Sequence, residues 1–312
     1  MTKLNLALIY GGISSEREVS LSGGEQVFDS LDKTKYNITK YDPKTDLGKL
    51  VSDADKLDVA LIILHGPYGE DGTIQGLLEL LQIPYQGSGV LGSSMAIDKI
   101  VSKQIYKING LPVPPSVSVN KGTDCNSSGI VNKLNLPIFV KPSTGGSSIG
   151  MSRVDTEAEL APAIEKAFQF DSDVLVEAFI EGTELTCGVM GNNTLDALPV
   201  IEIIPDNGSS TFFDYEAKYT PGATQEICPA RISARDTERA KTLAIKAHMA
   251  LNLRGYSRTD MILCGENIYL LETNTIPGMT KTSLLPLAAQ TAGISYSELL
   301  DKLVELALEK VA

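Results

Sequence analysis

The first ninety residues alternate short apolar runs with helical segments, and this pattern constrains the fold more than any other feature of the chain. The predicted elements are strands at 6–10, 36–41 and 59–64 and helices at 22–31 and 73–81. Such alternation predicts an α/β fold in which helices cover a parallel sheet. Ligands bind such sheets at the carboxyl ends of the strands, where Gly11 and His65 lie.

The length of 312 residues is enough for two or three domains. The hydrophobic content of 43% and the charged content of 21% are typical of a globular protein. We expect three units, which cover residues 1–97, 98–182 and 183–312.

Charge and cysteine content exclude several classes of function. The net charge of -12 disfavours nucleic acid and anionic membranes as partners, although local lysines can still hold a nucleotide. The four cysteines include no Cys-x-x-Cys pair, which disfavours a zinc site or a disulfide framework and fits a reducing cytoplasm. No signal peptide is visible, and no apolar run reaches membrane-spanning length.

Two apolar runs around Gly265, at 258–263 and 268–272, predict an antiparallel hairpin near the C-terminus. Glu272 and Asn274 are two residues apart and therefore lie on one face of the strand. Folding about the turn brings Asp260 within cross-strand reach of Glu272. These oxygen donors suit one or two Mg²⁺ ions, and the phosphates of ATP would complete the shell. Taken alone, the residues are equally compatible with a solvated hairpin.

A Gly/Ser-rich loop at 143–150 follows a strand that ends in Lys141. Its backbone N–H groups and hydroxyls can bind phosphate, and the lysine adds a point charge. The lysine precedes the glycines, so this is not the usual P-loop pattern. A flexible surface loop is the alternative.

The apolar strand at 174–177 ends in Glu177 and continues through residues 178–180. This segment can offer backbone groups to an adenine edge, and Glu184 can hold a ribose. Any edge strand has a similar pattern, so the signal is weak by itself.

Three further features concern the substrates. The turn at 11–20 lacks Gly-x-Gly-x-x-Gly, which disfavours a dinucleotide cofactor, and it presents Glu16 to a substrate ammonium. Glu70 can orient His65 by a hydrogen bond, whereas His248 in mid-helix is interpreted as structural. The long loop at 207–224, with its aromatics and a lysine, suits a lid that closes over phosphates; a mobile insertion is the alternative.

In this order, the motifs resemble those of the D-alanine–D-alanine ligases of the ATP-grasp superfamily, over essentially the whole chain. The matching segments are Gly11–Ser20, His65–Gly76, Pro84–Lys99, Lys141–Met151, Tyr215–Tyr219 and Arg258–Ser283. The resemblance implies an N-terminal Rossmann-like domain (1–97), a central ATP-grasp subdomain (98–182) and a C-terminal ATP-grasp subdomain (183–312) with the metal site and the lid. ATP would lie between the second and third.

The resemblance also implies a role for each site residue. The nucleotide would contact Lys99, Lys141, Ser147, Ser148, Glu177, Ala178, Phe179, Ile180, Glu184 and Lys218. The catalytic group would be Glu16, Ser147, Lys218, Tyr219, Arg258 and Gly278. The amino-acid substrates would contact Ser20, His65, Glu70 and Ser283. Asp260, Glu272 and Asn274 would hold two Mg²⁺ ions, with Mn²⁺ as an alternative.

Within that set, several residues have finer implied roles. Glu16 would bind the ammonium of the first D-alanine, and Ser283 the carboxylate of the second. Arg258 and the N–H of Gly278 would form an oxyanion hole. Glu16, Ser147 and Tyr219 would form a hydrogen-bonded triad between the lid and the active site.

The implied function is ATP-dependent ligation of two D-alanine molecules through a D-alanyl phosphate, for peptidoglycan precursor synthesis, by a cytoplasmic homodimer. Tyr219 disfavours D-lactate as the second substrate, because the D-lactate-using relatives typically carry phenylalanine there; D-serine remains open. Two further alternatives are a non-catalytic nucleotide-binding regulator of the same fold and another ATP-dependent carboxylate–amine ligase.

Overall fold

The computed structural model describes residues 2–123, 126–146, 149–205 and 224–309. The strands are β1 (Leu4–Tyr10), β2 (Tyr36–Tyr41), β3 (Val59–Ile63), β4 (Ser116–Asn120), β5 (Ile138–Pro142), β6 (Ser152–Val154), β7 (Asp173–Ala178), β8 (Thr183–Gly191), β9 (Asp196–Ala197), β10 (Ile201–Pro205), β11 (Thr224–Ile227), β12 (Gly255–Cys264) and β13 (Asn267–Asn274). The α-helices are α1 (Arg17–Ser30), α2 (Leu47–Asp53), α3 (Thr73–Leu80), α4 (Val90–Ile97), α5 (Lys99–Ile108), α6 (Ser127–Leu134), α7 (Glu157–Ala167), α8 (Ala234–Ala250), α9 (Leu284–Thr291) and α10 (Tyr296–Leu308), and a 3-10 turn covers Ala54–Lys56.

The N-terminal sheet is parallel, with the strand order β2-β1-β3. Every residue of β3 is buried, as expected for a parallel strand that is covered on both faces. The prediction of an α/β fold with a parallel sheet is therefore confirmed. Helix α1 begins at Arg17 rather than at Ser22, because the backbone turns into helix directly after Glu16, whose carbonyl accepts from Ser20 N.

The central sheet is antiparallel, with the order β4-β7-β5-β6, and α6 and α7 pack with it in one apolar core. Helix α5, which precedes this sheet, is capped at its start by Asp98. The Asp98 carboxylate accepts from the N–H groups of Ile100 and Val101. This cap fixes the end of the helix at which Lys99 emerges.

The C-terminal sheet is also antiparallel and has the order β11-β10-β8-β12-β13, with β9 paired to β8. Strands β12 and β13 form the hairpin predicted around Gly265. Helix α8 packs on this sheet through alanines that are fully buried, such as Ala240, Ala244 and Ala247. Small side chains allow the helix to lie close to the strands.

One apolar core joins the two ends of the chain. Leu61 and Ile63 of β3 share it with Leu300 and Leu303 of α10. The helix is fixed at its N-terminus by a capping box between Ser295 and Glu298. The last helix thus packs on the first sheet, and the division into three units at residues 97 and 182 remains a proposal. Among the described helices, none is long and apolar enough to cross a membrane.

Candidate active site

A cleft of about 740 Å³ opens where the central and C-terminal sheets meet α5. Its lining includes Lys99, Lys141, Glu184, Arg258, Asp260 and Glu272, together with Gly145 and Gly146. An adjoining cleft of about 350 Å³ shares Lys99 and Glu272 and adds Glu70 and Asn274. Residues that are far apart in the sequence therefore converge on one site.

The hairpin brings four polar residues onto one face. Its register pairs Arg258 with Asn274 and Asp260 with Glu272, followed by a bulge between Asp260 and Met261. Directly paired residues point to the same side of a sheet, as do residues two apart on one strand. The predicted proximity of Asp260 and Glu272 is thus confirmed.

Arg258 and Asp260 form a bidentate ion pair. Arg258 donates from Nε to Oδ1 at 3.0 Å and from Nη2 to Oδ2 at 2.9 Å. Burial by itself would lower the pKa of Arg258, but the carboxylates of Asp260 and Glu272 outweigh this and raise it above its usual value. The guanidinium is therefore a fixed cation at the wall of the cleft.

The hairpin residues fit a hard metal ion. In the described part of the chain no three His, Cys, Asp or Glu side chains form a metal cluster. The oxygen donors on the hairpin are the carboxylates of Asp260 and Glu272 and the Asn274 amide, whose Nδ2 donates to Asp260 Oδ2 at 3.1 Å. A half-turn of that amide would present its oxygen instead. Mg²⁺ favours a shell with few protein ligands that is completed by phosphate oxygens and water.

Two lysines bring positive charge to the same cleft. Lys141 on β5 donates to Glu177 Oε2 at 2.9 Å. Lys99 donates to the carbonyl of Gly145 at 2.7 Å, and its Nζ lies 3.9 Å from Glu272 Oε2. Both lysines thus reach the cleft that the metal-binding candidates line, as expected for groups that bind phosphate.

The Gly145–Gly146 turn reaches the segment that precedes α1. A Cβ added to Gly146 would lie 3.1 Å from Glu16 Oε2, so only glycine allows this close approach without a shift. Glu16 itself is buried and lies immediately before α1. The next two residues of the loop, Ser147 and Ser148, lie outside the described residues, as do Lys218 and Tyr219 of the predicted lid.

His65 and Glu70 are close together, as predicted. His65 Nδ1 lies 3.5 Å from Glu70 Oε1, and both side chains are mostly buried. Burial raises the pKa of Glu70, and the hydrogen bond to His65 only partly offsets this. Ser20, by contrast, is fully buried, and its hydroxyl bridges Gly11 N and the carbonyl of Ile63. This geometry gives Ser20 a structural role and does not support direct contact with a substrate.

The segment after β13 presents Gly278 and Ser283 near one another. A Cβ on Gly278 would lie 3.0 Å from Ser283 Oγ. Ser283 Oγ accepts from Thr280 N at 3.1 Å and lies 2.7 Å from Thr280 Oγ1. Leu284, the next residue, lines the main cleft, so Ser283 lies at its margin.

The segment predicted to face adenine is partly used by the fold. Ala178 N donates to the carbonyl of Pro115, and Phe179 N to that of Pro137. The ring of Phe179 packs edge-on against Phe139, with 5.7 Å between centroids. Of the predicted nucleotide contacts at this end, Glu184 lines the cleft, whereas Ala178, Phe179 and Ile180 are not among its lining residues.

Two residues of the site were missed by the sequence reasoning. Thr186 donates to Asp260 Oδ1 at 2.6 Å, because β8 pairs with β12 at that position. Lys103 is buried against Glu177, with 2.5 Å between Nζ and Oε1. The only signal for Lys103 was a lysine one turn after Lys99 on the apolar face of a helix. No local signal pointed to Thr186.

The prediction that His248 is structural agrees with its surroundings. The ring is buried, and its Nδ1 lies 2.8 Å from Ser257 Oγ. Burial lowers the pKa of His248 to about 4. The ring is therefore neutral at physiological pH, and His248 is not among the residues that line the cleft.

Comparisons with known proteins agree with this geometry. A family model described as "D-ala D-ala ligase C-terminus" matches residues 105–305, and one described as "D-ala D-ala ligase N-terminus" matches residues 40–88. The D-alanine–D-alanine ligase of Syntrophobacter fumaroxidans is 58% identical, with 98% of each chain covered. That of Desulfotalea psychrophila is 53% identical over 99% of this chain and 96% of its own.

Solved structures give the same result. D-alanine–D-alanine ligase from Bacillus anthracis in complex with ATP superimposes with a TM-score of 0.86 at 37% identity, covering 98% of this chain and 97% of its own. The VanG D-Ala:D-Ser ligase from Enterococcus faecalis gives a TM-score of 0.82 at 33% identity, covering 98% and 100%. The chain therefore belongs to the D-alanine–D-alanine ligase family.

Proposed function

We propose that this protein joins two D-alanine molecules to D-alanyl-D-alanine and converts ATP to ADP and phosphate. The observation that carries the proposal is the shared cleft, in which Lys99 and Lys141 face the carboxylates of Asp260 and Glu272, with Arg258 beside them. An ATP-driven ligation needs these groups in one place. Family membership, together with the ATP-bound relative from Bacillus anthracis, supports the same reaction.

In the first step, a carboxylate oxygen of the first D-alanine attacks the γ-phosphorus of ATP. The bond from that phosphorus to ADP breaks, and a D-alanyl phosphate forms. Lys99 and Lys141 neutralise phosphate charge and hold the chain of phosphates in line for the attack. Asp260, Glu272 and Asn274 would hold two Mg²⁺ ions, which supply further charge neutralisation to the transferred phosphoryl group.

In the second step, the amine of the second D-alanine attacks the acyl carbon. A C–N bond forms, the bond to phosphate breaks, and the proton that the amine loses leaves with the phosphate. Negative charge builds up on the acyl oxygen, and Arg258 with the N–H of Gly278 would stabilise it. Arg258 suits this role because its ion pair with Asp260 fixes the guanidinium before the reaction begins.

Recognition of the two substrates would use opposite ends of the site. Glu16 would bind the ammonium of the first D-alanine, with His65 and Glu70 beside it, and Ser283 would bind the carboxylate of the second. The lid residues Lys218 and Tyr219 would close over the intermediate, because water would hydrolyse an acyl phosphate.

The second substrate has one serious alternative. The VanG neighbour is a D-Ala:D-Ser ligase, so D-serine is a candidate at the second site. The tyrosine at position 219 disfavours D-lactate. We further propose that the protein works as a cytoplasmic homodimer in peptidoglycan precursor synthesis and that Mn²⁺ can replace Mg²⁺. The family resemblance supports each of these points.

The decisive experiment measures phosphate release and product mass with ATP, Mg²⁺ and D-alanine. D-Serine or D-lactate is then offered as the second substrate, and L-alanine is the control. We expect D-alanyl-D-alanine as the main product. A main product with D-serine in the second position would establish the alternative, and ATP binding without any ligation would refute the proposal.

A further inference from the structure

Lys103 is among the most deeply buried side chains of the protein, although it carries a charge. It lies on α5, one turn after Lys99, and its side chain is 2% exposed. Placing an ammonium in a protein interior is costly unless it is paired and hydrogen-bonded. A buried lysine next to a nucleotide site therefore needs a physical reason.

The partner of Lys103 is a single carboxylate that it shares with Lys141. Glu177 Oε1 lies 2.5 Å from Lys103 Nζ, and Glu177 Oε2 lies 2.9 Å from Lys141 Nζ. Lys103 also donates to the carbonyl of Leu270 at 3.4 Å. One carboxylate is therefore enclosed between two ammonium groups, and each of its oxygens faces one of them.

The three groups do not have equal access to the cleft. Lys141 lines it, whereas Lys103 and Glu177 lie behind it. Burial would raise the pKa of Glu177, but the two lysines outweigh this and lower it; the same carboxylate raises the pKa of Lys141 against the effect of burial. Burial lowers the pKa of Lys103, and the Glu177 carboxylate opposes this only in part. Glu177 is thus held as an anion whose charge must be balanced on both sides.

We propose that Lys103 is a positioning residue that neutralises Glu177 from behind, so that the charge of Lys141 is left for the phosphates of ATP. This inference rests on the proposed function in that ATP is taken as the ligand. With Lys103 present, the two lysines and one carboxylate carry a net charge of one, presented through Lys141. Without Lys103, Lys141 is the one lysine of the described residues that still pairs with the buried Glu177 carboxylate, and its attraction for phosphate is largely cancelled.

The test compares nucleotide and nucleoside binding in Lys103→Met, with Lys107→Met as the matched control. Lys107 is on the same helix but exposed, so the control removes the same charge without touching Glu177. Calorimetry at fixed Mg²⁺ gives the Kd of ADP and of adenosine. We expect the ratio of these Kd values to shift against ADP by about 10- to 100-fold in Lys103→Met, the range for one charge-assisted hydrogen bond. The control should shift it less than about twofold, since exposed charges contribute little.

A second pair of variants separates this role from a merely structural one. The double variant Lys103→Met/Glu177→Gln removes both charges and should restore the ADP-to-adenosine ratio of the wild type. Glu177→Gln alone should shift that ratio in favour of ADP, because it removes the negative charge beside Lys141. Position 177 is itself a predicted nucleotide contact, so the ratio is the readout, since a change common to ADP and adenosine cancels in it. This variant carries the test if Lys103→Met does not fold, and a ratio that is unchanged or shifted against ADP would then overturn the inference. Equal weakening of ADP and adenosine in Lys103→Met, or no recovery in the double variant, would overturn the inference.

The ligation assay on the wild type distinguishes the two proposals. A wild-type protein that binds ADP but forms no D-alanyl-D-alanine would refute the proposed function and leave the binding comparison valid. Normal ligation together with an unchanged ratio in Lys103→Met would refute only the role of Lys103.

Discussion

Replacing Asp260 by asparagine tests the centre of the site, because it removes one charge while nearly preserving shape. Asp260 accepts two hydrogen bonds from Arg258 at 3.0 and 2.9 Å, and it also accepts from Thr186 at 2.6 Å and from Asn274 at 3.1 Å. Asparagine keeps one of the two oxygens and directs an NH₂ group at donors. The guanidinium then loses its counterion and one of its two acceptors.

The structure sets the size of the effect. The side chains of Arg258 and Asp260 are only 15% and 12% exposed, so the pair counts as buried. Breaking a buried pair by removing one partner costs about 3–5 kcal/mol, and the remaining oxygen of asparagine places this change at the lower end, near 3 kcal/mol. Turnover should fall by at least about 100-fold, because a predicted metal ligand and the fixed orientation of Arg258 are lost together.

The chain contains a matched control with the same spacing. Arg153 and Asp155 are also two residues apart, and Arg153 Nε donates to Asp155 at 3.0 Å. That pair is 26% and 57% exposed, so Asp155→Asn should cost no more than about 0.5 kcal/mol. Urea unfolding of the two variants measures their losses of unfolding free energy, provided that the dependence of this free energy on urea concentration (the m-value) is unchanged. Equal losses of unfolding free energy, or normal turnover in Asp260→Asn, would refute the reasoning.

Three further predictions concern pH, metal and specificity. Burial lowers the pKa of His248 from its ordinary value of 6.5 to about 4. Between these two pH values, His248 is protonated in the unfolded chain but neutral in the folded one. Stability should therefore fall by about 2 kcal/mol from pH 7.5 to pH 5 through this residue, and His248→Gln should remove that part of the dependence in urea titrations; an unchanged pH slope would count against it. Glu272→Gln should lower kcat at least about 100-fold and raise the Mg²⁺ concentration needed for activity, and near-normal rates would remove the metal assignment. Tyr219→Phe should raise the kcat/KM for D-lactate relative to D-alanine about tenfold, the effect of one hydrogen bond, and an unchanged ratio would argue against the lid role.

Local sequence patterns were sufficient to predict the site residues that are close together in the chain. The hairpin around Gly265 and the pairing of Asp260 with Glu272 follow from two apolar runs, a turn and the two-residue period of a strand. The position of Lys141 at a strand end before a Gly-rich loop was equally visible. The start of α1 was predicted five residues too late, because the turn before it is closed by hydrogen bonds that leave no sequence signature.

Contacts between distant segments were not visible in the sequence. Thr186 meets Asp260 only because β8 lies beside β12 in the sheet. Gly146 reaches Glu16 only because the loop after β5 lies against the segment that precedes α1. Ser20 was predicted to contact substrate, yet its hydroxyl is used between Gly11 and Ile63, inside the fold.

The sequence by itself determined the α/β character, the metal-binding candidates on the hairpin and the family. Each of these rests on side-chain period, turn chemistry or motif order, which act over a few residues. The tertiary structure decided which buried charges share a partner: Lys103, Glu177 and Lys141 come from two strands and a helix. The physical reason is that charge balance inside a protein depends on distances of a few ångströms and on exclusion of water, and neither is set until the sheets pack.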